Sequence, residues 1–292
     1  MRWPMGDIDS GRIGRPRVSL VTGSLFRQVF LERLFGSLEG QRFSDFEIIV
    51  IEQRDEDGIR RLVARFPGLN VTVTSSDRGL SRARNVGLRE ARGEIIGFPD
   101  DDCWYSPGTI SRVVRRFDFD PSLDVLCGRV LTGTGPMLNY PRGPVRIDRS
   151  NVWHTVVSPG LFVRRSAVDA IGDFDELLGV GSGTQAGSGE ETDYVLRALT
   201  QGRRAEFDPL VHVNHPSPEE VSNRLSPAVG LSYGFGMGRV LRDHDYSLSA
   251  RMKAVGRPIA GAAVAAVRGD APLAQFRVAV ARGRFRGLTR GL

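Results

Sequence analysis

The first hundred residues alternate between two hydrophobic patterns. Four short runs are apolar and rich in β-branched residues: Val18–Ser24 (VSLVTGS), Phe46–Glu52 (FEIIVIE), Asn70–Ser76 (NVTVTSS) and Glu94–Phe98 (EIIGF). Continuous apolar runs of this length suit strands buried on both faces. Between them, VFLERLFGSLEGQ, EDGIRRLVARF and LSRARNVGLREAR repeat their apolar residues at helical spacing. Strand and helix in alternation, with short links, predict a mostly parallel, Rossmann-like α/β sheet covered by helices. Ligands of such sheets bind beyond the carboxyl ends of the strands, so the residues that follow each strand matter most.

The second half is less regular. SPGTISRVVRRF reads as a helix with Ser106 as N-cap and Pro107 at its first position. DVLCGRV (Asp124–Val130) reads as a fifth strand, and the Gly- and Pro-rich stretch from Leu131 to Asn151 as a loop over the site. Residues 158–199 predict a strand, a short helix, a glycine-rich loop and a longer helix, and LVHVNHP (Leu210–Pro216) is another strand end. Beyond Pro216 the pattern turns helical, with Ser217, Pro218 and Glu220 in capping-box order. The expected division is a flexible leader over residues 1–16, an α/β domain over 17–216 and a helical region over 217–292.

Composition adds three constraints. A chain of 292 residues with 40% hydrophobic and 25% charged residues is an ordinary globular protein. Cys103 and Cys127 give neither a disulfide framework nor a metal-binding spacing, which fits a reducing, cytoplasmic setting. The leader lacks the apolar core of a signal peptide. The longest apolar run, PIAGAAVAAV, is about half of the ~20 residues that cross a bilayer.

Charge is unevenly spread. Of a net +6, residues 217–292 carry 12 Arg and Lys against 5 Asp and Glu (+7), leaving 28 against 29 (−1) before them. A basic tail points to an acidic partner surface. Leu273, Phe276, Val280 and Phe285 interleave there with Arg277, Arg282, Arg284, Arg286 and Arg290, which suits an anionic membrane surface. The other reading is a helix packed on the domain with solvated arginines. No recognised nucleic-acid module accompanies the tail, so no nucleic-acid partner is expected.

Candidate chemistry begins where the fourth run ends, at IIGFPDDDCWY. Asp100, Asp101 and Asp102 repel one another unless a cation or donors relieve them. The trio is either a solvated acidic turn or a site for Mg²⁺ or Mn²⁺ completed by a substrate's phosphates. In GSGEETDYVLRAL, Glu191 admits two roles. It could close a capping box with Ser188, or act as a general base on the rim of the same site. Asp193 and Arg197 are spaced for a surface ion pair. His212 and His215 follow a predicted strand, and His215 is the preferred extra metal ligand. Trp104 and Tyr105 line the pocket or pack beneath the aspartates, and Cys103 reads as a buried thiol.

Four segments in this order resemble glycosyltransferase family 2 enzymes of the GT-A fold. They are VSLVTGS…LERLFGSLEGQRFSDFEIIVIEQ, GLSRARNVGLREARGEIIGFPDDDCWY, PGLFVRRSAVDAIGDFDELL and GSGEETDYVLRAL. The resemblance implies an inverting transfer of a sugar from a nucleotide diphosphate to an acceptor hydroxyl, with a UDP-sugar as the expected donor. It implies that Asp102 holds a divalent metal and that Asp100 and Asp101 contact ribose or share the ion. Glu191 would deprotonate the acceptor. Thr22 and Glu52 would grip the nucleoside, Glu52 standing where many members have Asp, and Arg82 and Asn85 would border the nucleotide pocket.

A lipid-linked or glycan acceptor at the inner face of the cell membrane would join these features to the basic tail, in polysaccharide or glycolipid synthesis. Two other classes make different demands. A nucleotidyltransferase would release pyrophosphate and should carry a glycine-rich basic loop after the first strand, where VTGSLFRQVF stands. An arginine-rich nucleic-acid-binding protein would show steep salt dependence and no need for Asp102.

Overall fold

A computed structural model describes residues 14–25, 27–217 and 226–289. Most of the leader thus lies outside the described residues, as do Pro218 and Glu220 of the expected capping box and Arg290, whereas Ser217 is described and buried. The four expected strands form β1 (Val18–Ser24), β2 (Phe46–Glu52), β3 (Val71–Ser75) and β4 (Ile95–Gly97), linked by helices α1 (Gln28–Glu39), α2 (Glu56–Val63) and α3 (Leu80–Glu90). There follow β5 (Trp104–Tyr105), α4 (Thr109–Phe119), β6 (Val125–Thr132), β7 (Gly135–Pro136) and β8 (Val145–Arg146). Next come β9 (Leu161–Arg164), α5 (Arg165–Ile171), α6 (Glu190–Thr200) and β10 (Ala205–Asn214). Three helices close the chain: α7 (Pro227–Asp243), α8 (Leu248–Val267) and α9 (Ala271–Thr289).

The sheet runs β3-β2-β1-β4-β9-β6-β10-β5. β3, β2, β1 and β4 are mutually parallel, as are β6 and β10, while β9 lies antiparallel between β4 and β6. The chain steps outward from β1 to β2 and β3, then returns to place β4 on the other side of β1. That reversal opens a crevice at the carboxyl ends of β1 and β4, the usual binding position in such sheets. Both faces are covered. Val21, Ile49, Ile51 and Ile96 pack toward α3, α5 and α6, whereas Leu20, Ile48, Val50 and Ile95 pack toward α1, α2 and α4. This double burial is why the strands read as unbroken apolar runs.

Two local expectations need correction. Helix α4 starts at Thr109 with Gly108 as its cap. Ser106 is used otherwise: its carbonyl accepts the Thr109 N–H, and Asn214 Nδ2 donates to its hydroxyl at 3.3 Å. The 131–151 stretch is not an open loop, and at its start the Leu131 carbonyl accepts the His215 N–H at 2.8 Å. β7 pairs with β6, β8 pairs with β10, and Tyr140 stacks on Phe207 at 5.3 Å, which ties the segment down beside β10.

The C-terminal helices meet through glycine. On α7, Gly230, Gly234 and Gly238 recur every fourth residue and face α9. A Cβ built on Gly234 would lie 2.3 Å from the Val280 carbonyl, and one on Gly283 would lie 2.1 Å from that of Leu231. Backbones this close gain dispersion contacts along the whole seam but leave no room for a methyl group. Of the predicted membrane-facing stripe, the Phe276 ring therefore packs against Gly230 of α7, whereas Phe285 is 59% exposed. Two of the arginines are also used internally: Arg277 donates to the Gly261 carbonyl and Arg284 to that of Ala254, each at 2.6 Å. No helix among the described residues is long and apolar enough to cross a membrane.

Gly234→Ala is expected to cost about 1–3 kcal/mol through overpacking of this seam. Gly256→Ala, on the open side of α8 with nothing within 4 Å, should instead gain up to about 1 kcal/mol. Urea denaturation of both variants measures the contrast.

Candidate active site

β4 delivers the aspartates. After Gly97 the chain leaves the sheet at Pro99 and folds into a tight turn in which the Cys103 N–H donates to the Asp100 carbonyl at 3.2 Å. The turn rests on buried aromatic rings. Phe98 meets Phe174 edge-on at 5.1 Å and Tyr194 at 6.3 Å, and Phe174 stacks on Tyr194 at 4.1 Å. These rings join β4, the segment after α5 and α6 into one support. Above them Asp100, Asp101 and Asp102 face a cavity of about 320 Å³, shared with Ser24, Arg27 and His215.

Asp100, Asp102 and His215 each offer a ligand atom, all within 4.8 Å of one another. His215 Nδ1 meets the Pro216 carbonyl at 2.9 Å, which turns Nε2 toward Asp102 Oδ1 at 3.0 Å. A ring nitrogen oriented through its partner nitrogen is the usual preparation of a metal-binding histidine. Two carboxylates and an imidazole suit Mg²⁺ or Mn²⁺, so the residues present fit the implied ion. Burial alone would raise the pKa of Asp102, but His215 and Arg27 outweigh it and hold the carboxyl well below the usual range. Burial pushes Asp101 up to about 7 and Asp100 up to about 6, against the pull of Arg27 and Arg84 respectively. His215 is raised: burial opposes its charge, but Asp102 prevails.

Helix α6 brings the second acidic pair. Its cap is Gly189, in a left-handed conformation (φ 97°) and without a side-chain bond. The expected capping box is therefore absent. Ser188 lies one residue too early, and its hydroxyl donates to the Tyr233 carbonyl at 2.9 Å. Glu191 is half-buried, and burial, followed by repulsion from Glu190, pushes its carboxyl up to about 8. Asp193 pairs with Arg197 as expected (2.9 Å), but it is buried and also meets His244 Nε2 at 2.8 Å.

Arg84 connects the two acidic groups. Its side chain is 1% exposed, and its guanidinium donates to Glu190 Oε1 at 3.1 Å and Asp100 Oδ1 at 3.3 Å. In the sequence it is one of two arginines in LSRARN. Its neighbour Arg82 matched the resemblance, yet points outward to Glu176 at 3.1 Å. Asn85 clamps the segment after α5, donating to the Phe174 carbonyl at 3.0 Å and accepting from the Phe174 N–H at 2.8 Å. Thr22 is buried in β1, and no partner is found for its Oγ1 among the described residues. Glu52 is buried at the end of β2, where its Oε1 accepts from the Arg54 N–H at 2.9 Å. Thr22, Glu52, Arg82, Asn85 and Glu191 do not line the cavity described above, whereas Arg27, which sequence reasoning passed over, does. His212 lies within β10, opposite Arg129 of β6, and only His215 stands in the cluster.

The carboxylate and imidazole cluster, with side chains able to hold a metal ion, thus lies at a strand end beside the switch point of the α/β sheet. Residues 19–170 match the model of Glycosyl transferase family 2, and the chain belongs to that family. An uncharacterized glycosyltransferase of Nostoc sp. is 24% identical over 176 residues, 55% of each chain. A Campylobacter jejuni protein named GalNAc(5)-diNAcBac-PP-undecaprenol beta-1,3-glucosyltransferase is 28% identical over 106 residues, 35% of this chain and 34% of that one. The chain thus spans about half the length, or less, of these relatives. Mannosyltransferase PcManGT from Pyrobaculum calidifontis, solved with GDP-Man and Mn²⁺, superposes with a TM-score of 0.65 at 17% identity, covering 95% of this chain and 88% of its own. The fold is GT-A, mixed α/β with a mostly parallel sheet.

Arg84→Met leaves buried carboxylates without their counter-charge and is expected to cost about 3–5 kcal/mol near pH 8. Asp100 titrates near 6 in the folded protein, so the deficit should shrink near pH 5, where that carboxyl is protonated. Melting temperatures of both proteins at the two pH values measure this. Equal deficits would reduce Arg84 to a packing role.

Proposed function

We propose that this chain is an inverting glycosyltransferase that moves a sugar from a nucleotide diphosphate to an acceptor hydroxyl, with Mg²⁺ or Mn²⁺ as cofactor. The observation that carries the reading is the convergence of Asp100, Asp102 and His215 with the acidic start of α6 across Arg84. Asp102 and His215, with Asp100, would hold the ion, whose chemistry is to neutralise charge gathering on the departing diphosphate. The bound Mn²⁺ and GDP-Man of the Pyrobaculum enzyme support this assignment on the same fold. Thr22 and Glu52 stand at or near the ends of β1 and β2, where the nucleoside is expected. Arg82 and Asn85 support the pocket from behind by holding the 174–176 segment.

Glu191 is the general base. Its raised pKa would keep the carboxylate basic enough to take the acceptor's proton, and it stands in the first turn of α6 beside Glu190, which Arg84 ties to Asp100. The acid limb of a pH profile follows: kcat/KM should rise with pH up to about 8, as the carboxyl of the free protein ionises. Glu191→Gln should lower transfer by about a hundredfold or more while Mn²⁺-dependent retention of the donor stays near normal. Loss of donor retention in that variant would count against the base role.

The acceptor we infer is a lipid-linked glycan at the cytoplasmic face of a membrane. The name of the Campylobacter relative supports it, since it describes an undecaprenol-linked glycan. The structure adds a surface. On α8, Leu248, Met252, Ile259 and Val267 recur at intervals of four, seven and eight and are 75%, 64%, 54% and 89% exposed. Lys253 and Arg257 are exposed on the same helix, and Arg268 just after its end. An apolar helix face edged by cations suits the interface of an anionic bilayer. The chain should float with phosphatidylglycerol-rich liposomes, and Met252→Glu with Ile259→Glu should release it. Flotation of that double variant at the wild-type level would remove α8 as the contact.

A further inference from the structure

Arg27 occupies the position of a cation in the acidic site. Its Nη1 donates to Asp101 Oδ1 and its Nη2 to Asp102 Oδ2, both at 2.7 Å, and its guanidinium lies 4.5 Å from the centre of the Phe30 ring. Asp102 therefore has both oxygens engaged, one by Arg27 and one by His215. The two groups are not equivalent. His215 is itself a ligand of suitable chemistry, whereas a guanidinium has no lone pair to offer a metal. A divalent ion held by Asp100, Asp102 and His215 would sit within a few ångströms of a fixed positive charge bonded to one of its own ligands. Coulomb repulsion at such separations opposes binding of the ion even in a partly polar medium.

Arg27 can leave. It immediately precedes α1, in a non-helical conformation and without a side-chain cap bond, and it is one-third exposed at the cavity wall. The planar fork that now bridges two carboxylates matches phosphate oxygens equally well. We propose that Arg27 is an exchangeable counter-ion. It neutralises Asp101 and Asp102 while the site is empty. When a metal and a diphosphate arrive together, it gives up the carboxylates and takes the diphosphate oxygens. The net effect is cooperativity: the ion alone binds weakly because Arg27 opposes it, and the diphosphate restores affinity by offering the guanidinium a new partner. This inference rests on the metal-and-diphosphate reading above and assigns a positioning residue to it.

The test is the coupling between the two ligands, which must be equal whichever is bound first. Mn²⁺ binding to the full chain is followed by electron paramagnetic resonance, alone and with UDP, and in parallel with GDP. Removing the opposing charge in Arg27→Gln should tighten binding of Mn²⁺ alone by about tenfold and reduce the gain from nucleotide by about as much. Arg27→Lys keeps the charge but cannot bridge two carboxylates, so it should shift both quantities in the same directions by less. It also serves if Arg27→Gln fails to give the wild-type circular dichroism spectrum. Unchanged affinity for Mn²⁺ alone in the folded variants would overturn the proposal. Mn²⁺ affinity that rises equally with and without nucleotide would overturn the exchange, leaving Arg27 a simple competitor. If neither the wild type nor the variants bind Mn²⁺ under any of these conditions, the metal reading itself fails and takes this inference with it.

Discussion

The site depends on one buried guanidinium. Arg84 lies between a strand-end aspartate and the first glutamate of a helix more than a hundred residues beyond it, and a charge so buried is tolerated only when it is paired. The requirement works in both directions. Asp100 and Glu190 come from separate parts of the sheet's periphery, and the buried Glu190 and the half-buried Asp100 are brought together by the cation they share. Arg84 thereby sets the spacing between the turn after β4 and the start of α6, where Glu191 is held. A contribution to specificity of geometry, rather than to net stability, is the natural role of such a bridge.

Backbone conformation serves the same end. Gly189 starts α6 from a left-handed conformation, so the helix begins abruptly with three acidic residues in its first turn. Acidic groups are favoured at this end of a helix by its dipole. Here they also meet cations, Glu190 through Arg84 and Asp193 through Arg197 and His244. Glu191 is the member left with burial and a like-charged neighbour, which is how two adjacent glutamates come to have different chemistry.

The C-terminal helices brace this arrangement from outside. α7 holds the loop before α6 through Ser188 and Tyr233, and Arg239 reaches Asp175 at 2.7 Å. The glycine seam between α7 and α9 draws part of the tail inward, with Arg277 and Arg284 bonded to α8 carbonyls, while Arg282, Phe285 and Arg286 of α9 stay exposed beside the apolar and cationic surface of α8. A helix pattern shows which residues share a face. It does not show which of several amphipathic helices will be covered by its neighbours.

The first four strands and their helices were legible because each apolar run is short, unbroken and set off by helical spacing, patterns that follow from burial on two faces. The acidic turn after β4 was legible too, since three adjacent carboxylates at a strand end are locally conspicuous. Arg84, Arg27 and the failed capping role of Ser188 were not. In sequence Arg84 is indistinguishable from Arg82, and only packing turns one inward to Glu190 and the other outward to Glu176. Ser188 has cap spacing, but the helix starts one residue later, from a glycine whose φ no local rule dictates. The sequence by itself determined the layers, the strand ends and the residue types available for chemistry, because these follow from local periodicity and charge. Apart from the local Asp193–Arg197 pair, tertiary structure decided which cations neutralise which carboxylates of the site, because Arg27 and Arg84 meet Asp101, Asp102 and Glu190 from far along the chain, when the sheet closes over them.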